Sequence, residues 1–305
     1  MVPVFVIIPT FDEELNLEDC LASVCGWAAE VAVVDSYSTD KTVDIAKRLG
    51  ARVVQHEYEG PARQKNWALD NLDFASDWVL LLDADERVPR DLREEIAGII
   101  AAGGNGYEGF YINRRFIFYG KWIKHCGWYP SWNLRLFKRR LGRYEQREVH
   151  EHVVLNGRAG YCRHDLIHED LRDINHWIAK HNRYASAEAQ ETLRARQRSS
   201  RSELVPSIAK GPIERKRAIS ERIRFRLPIP VRSALFFFYM YFFRLGFLDG
   251  IHGFHFCAMH AFFEYFNGIK LWELKYYKQG APKGGIAVKK VFQAPSPAGT
   301  DRSNT

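Results

Sequence analysis

Strand-like and helix-like segments alternate over residues 4–101, and this order constrains the fold more than any other feature of the chain. The strand-like segments are short and apolar, and the segments between them have helical spacing. Strands that alternate with helices in this way predict a parallel β-sheet with helices on both of its faces. The predicted strands are Val4–Ile8, Val31–Val34, Ala51–Gln55 and Trp78–Leu82.

Polar residues cluster where three of these strands end. The clusters are Thr10–Glu14, Asp35–Asp40 and Asp83–Glu86. The carboxyl ends of parallel strands lie along one edge of a sheet, and ligands of such sheets bind beyond that edge. The sequence therefore predicts a binding site that is built from these three clusters.

The third cluster contains Asp83-Ala84-Asp85, which places two carboxylates one residue apart after a buried strand. Mg²⁺ and Mn²⁺ take oxygen ligands and commonly share them with a substrate diphosphate, so this pair is a candidate metal site. Capping of the following helix is the alternative. Asp35 also has two interpretations. It could accept hydrogen bonds from a nucleobase or ribose, or it could belong to a capped turn.

Two further groups could contribute to a nucleotide site. Residues 9–13 follow the first strand at the same edge, although they also suit the start of a helix. Arg63 and Asn66 share one face of the helix predicted over Pro61–Leu72, so a guanidinium and an amide could meet a diphosphate there. In isolation, a solvated helix face is the simpler explanation of this second group.

Together these motifs resemble the family-2 glycosyltransferases. The resemblance covers residues 3–155, and the motifs stand in the family's order and spacing. Residues 132–137 and 149–151 match a narrower group, the bacterial lipopolysaccharide-core and cell-surface-glycan glucosyltransferases. The Gln-x-x-Arg-Trp motif of processive polysaccharide synthases is absent from the sequence, so we expect transfer of a single sugar. The matching segments are residues 9–13, 35–42, 63–66, 83–86, 132–137 and 149–151.

This resemblance implies a GT-A fold, a UDP-linked sugar donor, inversion at the anomeric carbon and a divalent metal, Mg²⁺ or Mn²⁺. Asp35 would contact the uracil, Asp83 would face the ribose, and Asp85 would bind the metal with Asp83 beside it. Asp12 stands where the family often has asparagine. The implied donor-binding residues are Pro9, Thr10, Glu13, Asp35, Arg63, Asn66, Asp83, Ala84 and Asp85.

An inverting transfer also needs a base, because the acceptor hydroxyl loses a proton as it attacks. The family places its base after a region of mixed strands, which here indicates Glu151, with Glu148 as the runner-up. A surface carboxylate is the alternative for Glu151. His152 and His168 could complete the metal shell, and Arg135 could pair with phosphate or acceptor; structural histidines and an internal salt bridge explain these three residues as well.

The formal net charge of +7 is concentrated in residues 190–232, which hold 12 Lys or Arg against 4 Asp or Glu. Localised positive charge suits a polyanionic partner, either membrane phospholipid or nucleic acid. Residues 234–266 then contain 14 of the chain's 42 aromatic residues. Because basic and aromatic residues do not interleave, the pattern favours a membrane surface over nucleic acid.

The uncharged run Ser233–Phe243 is too short for a membrane span of about 20 residues. We therefore expect residues 190–266 to attach peripherally to an anionic membrane surface, on the cytoplasmic face of the inner membrane. A helical subdomain packed on the transferase core is the alternative. The acceptor expected at this location is a lipid-linked glycan or the lipopolysaccharide core.

We expect three parts: a transferase domain over residues 1–170, a helical, basic and aromatic-rich membrane-associated region over 171–279, and a disordered tail over 280–305. The alternatives left open are a polyprenyl-phosphate acceptor, a nucleic-acid-binding protein and an inactive membrane scaffold. Five cysteines without a Cys-x-x-Cys pair argue against a zinc cluster or a disulfide scaffold. No signal peptide is predicted at the start of the sequence.

Overall fold

The computed structural model describes residues 1–145, 152–199 and 227–278. Within these residues, a mixed β-sheet of nine strands forms the centre of the molecule. Its strands are β1 (Val2–Thr10), β2 (Ala28–Asp35), β3 (Arg52–Gln55), β4 (Trp78–Leu81), β5 (Glu86–Arg87), β6 (Gly109–Phe118), β7 (Lys121–Trp122), β8 (Trp132–Lys138) and β11 (Ala159–His168). A separate pair consists of β9 (Gly142–Tyr144) and β10 (Val153–Leu155).

The strands follow the order β3-β2-β1-β4-β8-β6-β11-β5, and β7 pairs with β6. The first four strands in this order are parallel, as the alternating sequence pattern predicts. The register of β1 and β2 sets Thr10 opposite Asp35 at their carboxyl ends. Because β4 ends at Leu81, residues 83–86 follow at that same edge of the sheet.

The second half of the sheet is mixed. β8 runs antiparallel to both β4 and β6, whereas β11 runs parallel to β6. This arrangement brings Arg135, near the middle of β8, and His168, at the end of β11, towards the carboxyl edge of β4. Residues 109–168 therefore contribute both parallel and antiparallel strands to the sheet.

Helices cover both faces of the sheet, as predicted. Successive side chains of a strand point to opposite faces, so Val4, Val6 and Ile8 of β1 pack in one cluster with helices α1 and α4. Phe5 and Ile7 pack on the other face with α3. The helices are α1 (Leu17–Val24), α2 (Thr42–Arg48), α3 (Pro61–Asn71) and α4 (Arg90–Ala101).

The C-terminal part is helical where the structure describes it. It contains α5 (Ile174–Ser199), α6 (Ile229–Phe238), a π-helical turn (Tyr239–Phe243), a 3₁₀ turn (Gly246–Asp249) and α7 (Gly250–Lys278). Residues 200–226 and 279–305 lie outside the described residues, and with them most of the basic segment and the predicted tail.

A membrane span was tested on the described helices alone. None of them is by itself long and apolar enough to cross a bilayer. One bent pair, Ile229–Phe243 with Gly246–Tyr277, meets the criteria of length and composition together, with an angle of 72° between its halves. Contact of this region with a membrane stays a prediction.

Candidate active site

Asp83 lies in the turn after β4, where Glu86 holds its backbone and two basic side chains, Arg135 and Lys65, hold its carboxylate. Glu86 accepts a hydrogen bond from the Asp83 backbone N–H at 3.0 Å. Arg135, from β8, donates through Nη2 to Asp83 and also to Glu86 Oε1, the latter at 2.6 Å. Lys65 of α3 places its Nζ 3.3 Å from Asp83 Oδ1. The internal salt bridge that the sequence allowed for Arg135 is therefore present.

These ion pairs control the protonation of Asp83, whose side chain is partly exposed, and of Glu86, which is fully buried. Burial favours the neutral acid, but the positive charges of Arg135 and Lys65 outweigh it and hold the pKa of Asp83 well below its usual range. Burial also opposes the ionisation of Glu86. The positive charge of Arg135 outweighs this effect and lowers the pKa of Glu86 to about 2. Both groups are ionised near neutral pH, and their charge is balanced within the protein.

Asp85 differs from Asp83 in that one of its carboxylate oxygens makes no hydrogen bond. The side chain is buried, and its Oδ1 has no hydrogen-bond partner. Its Oδ2 lies 3.6 Å from His168 Nε2. The structure thus joins two of the predicted metal ligands, Asp85 and His168, while Asp83 is engaged by cations. Among the described residues, no group of three His, Cys, Asp or Glu side chains is arranged to hold a metal.

The predicted nucleotide edge is built around Asp35, which is fully buried. Thr10 Oγ1 donates to Asp35 Oδ1 at 3.2 Å, and the Ser38 backbone N–H donates to Oδ2 at 3.0 Å. Gln55 Nε2 also donates to Oδ2, at 3.2 Å. Asp35 therefore orders the ends of three parallel strands. The role of Asp35, Thr10 and the half-buried Pro9 in binding a donor stays a prediction.

Glu13 is tied to the segment that leads into α5. Arg172 Nη1 donates to its Oε1 at 2.8 Å, and Asn16 donates to its Oε2 at 2.9 Å. Burial raises the pKa of Glu13 to about 7, against the opposing effect of Arg172, and the negative charge of Asp85 adds to the rise. Arg172 also pairs with Asp170. Sequence reasoning missed Arg172 because no local pattern links it to residues 9–13.

Helix α3 turns a different face inwards from the one that its sequence suggested. Arg63 is exposed, and the amide of Asn66 makes two hydrogen bonds of 2.9 Å to the backbone of Tyr144. Lys65 is buried beside Asp83, and its Nζ lies 5.0 Å from the centre of the Tyr144 ring. Asn66 thus anchors β9, and Lys65 supplies the cation that α3 brings to the carboxylates. The donor contacts expected of Arg63 and Asn66 stay predictions.

A cavity of about 360 Å³ lies beside Asp83. Its wall is cationic near the carboxylates, where Lys65, Arg114 and Arg135 line it, and aromatic elsewhere. Sequence reasoning did not select these aromatic residues, because tyrosines and tryptophans are also common in a core. The aromatic and histidine residues of the wall are Tyr58, Tyr111, Trp132, Tyr144, His152 and Tyr184.

Helix α5 brings a further cation to this region. Residues 176, 180 and 184 recur every fourth position on one helix face, and Tyr184 lines the cavity. Lys180 Nζ lies 3.8 Å from Asp170 Oδ2. Burial lowers the pKa of Lys180, but the negative charges of Asp85 and Asp170 outweigh it, so the pKa is raised. Lys180 therefore stays charged in the neighbourhood of Asp85.

The two candidate bases, Glu148 and Glu151, lie outside the described residues. The chain is described on both sides of them, up to Glu145 and again from His152. The Glu145 backbone N–H donates to the His152 carbonyl at 2.9 Å, and His152 lines the cavity. The assignment of the base stays a prediction.

Comparisons with known proteins identify the family of the chain. Residues 5–165 match the family model for glycosyl transferase family 2. The chain is 30% identical over 203 residues to the lipopolysaccharide core biosynthesis glycosyltransferase LpsC of Rhizobium meliloti (strain 1021), covering 64% of this chain and 74% of that protein. An uncharacterized glycosyltransferase of Rickettsia bellii is 44% identical over 95 residues, covering 31% and 32% of the two chains.

A solved structure is also similar. It is glucosyl-3-phosphoglycerate synthase of Mycobacterium tuberculosis, crystallised with Mn²⁺, UDP and glucosyl-3-phosphoglycerate. The identity is 19% and the TM-score 0.40, over 58% of this chain and 75% of that one.

The fold is an α/β sheet with carboxylates gathered at the carboxyl edge of its parallel strands. With the family model matched over more than half of its length, this chain belongs to glycosyl transferase family 2 and is a glycosyltransferase of the GT-A fold.

Proposed function

We propose that this glycosyltransferase moves a single sugar from a UDP-sugar to a lipid-linked glycan or lipopolysaccharide-core acceptor, with inversion at the anomeric carbon. One observation carries the proposal: after β4, Asp85 keeps a buried oxygen without a partner, two residues from Asp83, which lines a cavity together with Lys65 and Arg135. The relative named for lipopolysaccharide core biosynthesis supports the choice of acceptor. The cytoplasmic face of the inner membrane is the location that we propose for this reaction.

Asp85 and His168 are the residues that would hold a divalent cation. An unpartnered buried carboxylate oxygen is costly unless a ligand satisfies it, and Asp85 Oδ1 is such an atom. Mg²⁺ and Mn²⁺ are commonly bound by one or two protein ligands together with substrate phosphates, which fits the sparse set of donors here. The metal would neutralise negative charge on the diphosphate.

Lys180 would meet the diphosphate from the other side. Its ammonium group is held near Asp170, and it remains charged in the field of Asp85. Arg135 and Lys65 are already paired with Asp83 and Glu86, so they are less available to a ligand. A charged group without a strong ion pair of its own has more to gain from an incoming phosphate.

The aromatic wall of the cavity suits the sugar rings. Trp132 is partly exposed, and its ring centre lies 5.1 Å from that of Tyr161, which in turn stacks on Tyr111. Such apolar faces can pack against the C–H faces of a sugar while its hydroxyls reach polar neighbours. We place the acceptor on this wall, on the same side as His152.

The reaction is a single displacement. The acceptor oxygen forms a bond to the anomeric carbon as the bond between that carbon and the diphosphate oxygen breaks. The acceptor proton passes to a carboxylate, for which we propose Glu151, and the electron pair of the broken bond leaves with UDP. His152, the next residue in the sequence, lines the cavity, and this supports the choice of Glu151.

Calorimetric titration tests the donor site. UDP, GDP and CDP are added to the full chain with and without Mn²⁺, to wild type, to Asp85→Asn and to the control Asp91→Asn, which changes an exposed carboxylate on α4. We expect UDP to bind with Mn²⁺ present, to bind normally to the control, and to lose metal-dependent binding in Asp85→Asn. Absence of nucleotide binding to wild type under every metal condition would overturn the proposal.

A further inference from the structure

The bend between α6 and α7 exposes an extensive apolar surface. We define the elbow surface as the exposed apolar side chains of residues 235–254. Phe243 is 80% exposed, Ile251 62% and Leu248 55%, and Phe238 and Phe242 are about half exposed. Exposed apolar patches of this extent are uncommon on a soluble protein that has no partner for them. The elbow surface therefore has the composition of a contact surface.

The elbow is attached firmly to the transferase domain. Asp249, in the 3₁₀ turn, accepts hydrogen bonds of 2.8 and 2.9 Å from the backbone N–H and the ring of His125. The Cys126 backbone N–H donates to the Arg244 carbonyl at 3.0 Å. Met240 and Phe256 are buried in a cluster beneath these bonds. The exposed side chains thus project from a packed base, so their exposure does not come from a loose end of the chain.

The charges around the elbow surface identify the kind of partner. Between Ser233 and Phe254 the charged residues are Arg244 and Asp249, and Asp249 is buried against His125. No acidic side chain is therefore exposed within that stretch. The sequence immediately before α6 carries the excess of 12 Lys or Arg over 4 Asp or Glu in residues 190–232. A protein partner needs no such combination, whereas an anionic lipid surface attracts the basic residues and takes up the aromatic ones.

We propose that the elbow surface inserts into the boundary between headgroups and acyl chains of an anionic bilayer. The 72° bend keeps the two halves from lying along one axis, as an unbroken membrane span would. Tyr239 and Tyr241 lie in the π-helical turn, and tyrosine favours the headgroup level of a membrane.

This inference deepens the proposed function and, for its biological purpose, rests on it. Helix α7 packs on both α5 and α6, and α5 contributes Tyr184 to the cavity wall. One packed set of helices therefore connects the elbow surface with the site. Insertion would hold the cavity at a fixed height above the lipid, within reach of an acceptor that is itself anchored in the bilayer.

Vesicle flotation with the full chain tests the inference without any donor or acceptor. Vesicles of phosphatidylglycerol mixed with phosphatidylcholine are compared with vesicles of phosphatidylcholine alone. We expect wild type to float with the anionic vesicles, and Phe243→Glu/Leu248→Glu to lose about tenfold or more in partitioning, because each substitution replaces an exposed apolar side chain that would enter the bilayer with a charged one. Val154→Glu, which alters an exposed apolar residue on β10, is the matched control and is expected to bind as wild type does.

The milder variant Phe243→Ala covers the case in which the double variant does not fold, and circular dichroism and UDP titration report on folding. Insertion would be refuted if wild type floated with neither kind of vesicle. It would also be refuted if the elbow variants floated as wild type does. A wild-type dimer that dissociates in the elbow variants, with no vesicle binding, would assign the surface to a second copy. Because flotation needs no nucleotide, its failure is distinct from a failure of UDP binding.

Discussion

Arg172 and Glu13 form an ion pair with 2.8 Å between Nη1 and Oε1, although they are 159 residues apart in the sequence. The same guanidinium donates to Asp170 from Nε and Nη2, each at 2.8 Å. Arg172 therefore joins the loop after β1, which belongs to the predicted donor edge, to the segment that begins α5. The position of Lys180 and Tyr184 near the site depends on this connection.

Arg172→Gln is expected to destabilise the fold by about 2–4 kcal/mol, because Asp170 then keeps a largely buried charge without its partner and Glu13 loses its ion pair. Urea denaturation followed by circular dichroism measures the change. Arg48→Gln is the matched control, since its pair with Glu18 is more than half exposed, and no measurable change is expected. Equal losses of unfolding free energy in Arg172→Gln and Arg48→Gln would contradict a stabilising role for the ion pairs of Arg172.

The parallel sheet and its carboxyl edge could be predicted from sequence because both depend on local signals. Apolar runs mark the strands, and polar residues follow them directly, so the neighbours Thr10 and Asp35 could be expected at one edge. Asp85 was also predictable, because the spacing of the two carboxylates and the preceding strand lie within a few residues of each other.

The partners of these carboxylates could not be predicted in the same way. Arg135 reaches Asp83 and Glu86 only because β8 inserts beside β4, and a pairing order of this kind is not encoded in a short pattern. Helical spacing groups Arg63 with Asn66, but Arg63 is exposed, and it is Lys65 that is buried beside Asp83. Periodicity gives the faces of a helix, whereas tertiary packing decides which face turns inwards.

Arg135→Met is expected to destabilise the fold by about 3–5 kcal/mol near neutral pH, because the fully buried Glu86 loses its main counter-charge and the partly exposed Asp83 loses one of its two cations. The pH dependence follows from Glu86. Its pKa is about 2 in the folded state and 4.5 ordinarily, so wild type loses this stabilisation as the pH falls from about 4.5 to 2. The variant should show a flatter stability profile over that window in urea titrations at several pH values.

Arg143→Met provides the comparison for Arg135→Met. Arg143 pairs with Asp70 at 2.6 Å, but both side chains are about half exposed. We expect this variant to keep the wild-type profile between pH 4.5 and 2. A wild-type slope in Arg135→Met would mean that Arg135 does not depress the pKa of the buried carboxylates.

Lys180→Gln is expected to raise the Kd for UDP in the presence of Mn²⁺ about tenfold, because a charge-assisted contact to phosphate is lost. Arg183→Gln removes a positive charge three residues further along α5 from an exposed position, and should leave the Kd unchanged. Calorimetry on both variants separates a direct contact from a general effect of charge. Equal Kd values for wild type and Lys180→Gln would exclude the contact with the diphosphate.

His260 is expected to make the C-terminal helices sensitive to acid. Its ring is buried 4.4 Å from the Phe256 ring centre and 4.7 Å from that of Trp128. Burial, with a smaller contribution from the charge of His181, lowers the pKa of His260 to about 3. Between pH 6.5 and 3 the unfolded chain therefore binds a proton that the folded chain does not, and stability falls as the pH falls.

His260→Phe removes this proton and keeps an aromatic ring in the cluster. We expect the variant to lose up to about 1.4 kcal/mol per pH unit of the wild-type slope between pH 6.5 and 3, measured by urea denaturation. His164→Phe, which replaces a side chain that is nearly half exposed beside Glu95, leaves the contribution of His260 in place. If His260→Phe retained the wild-type slope and His164→Phe lost it, the acid sensitivity would belong to the sheet domain, because β11 carries His164.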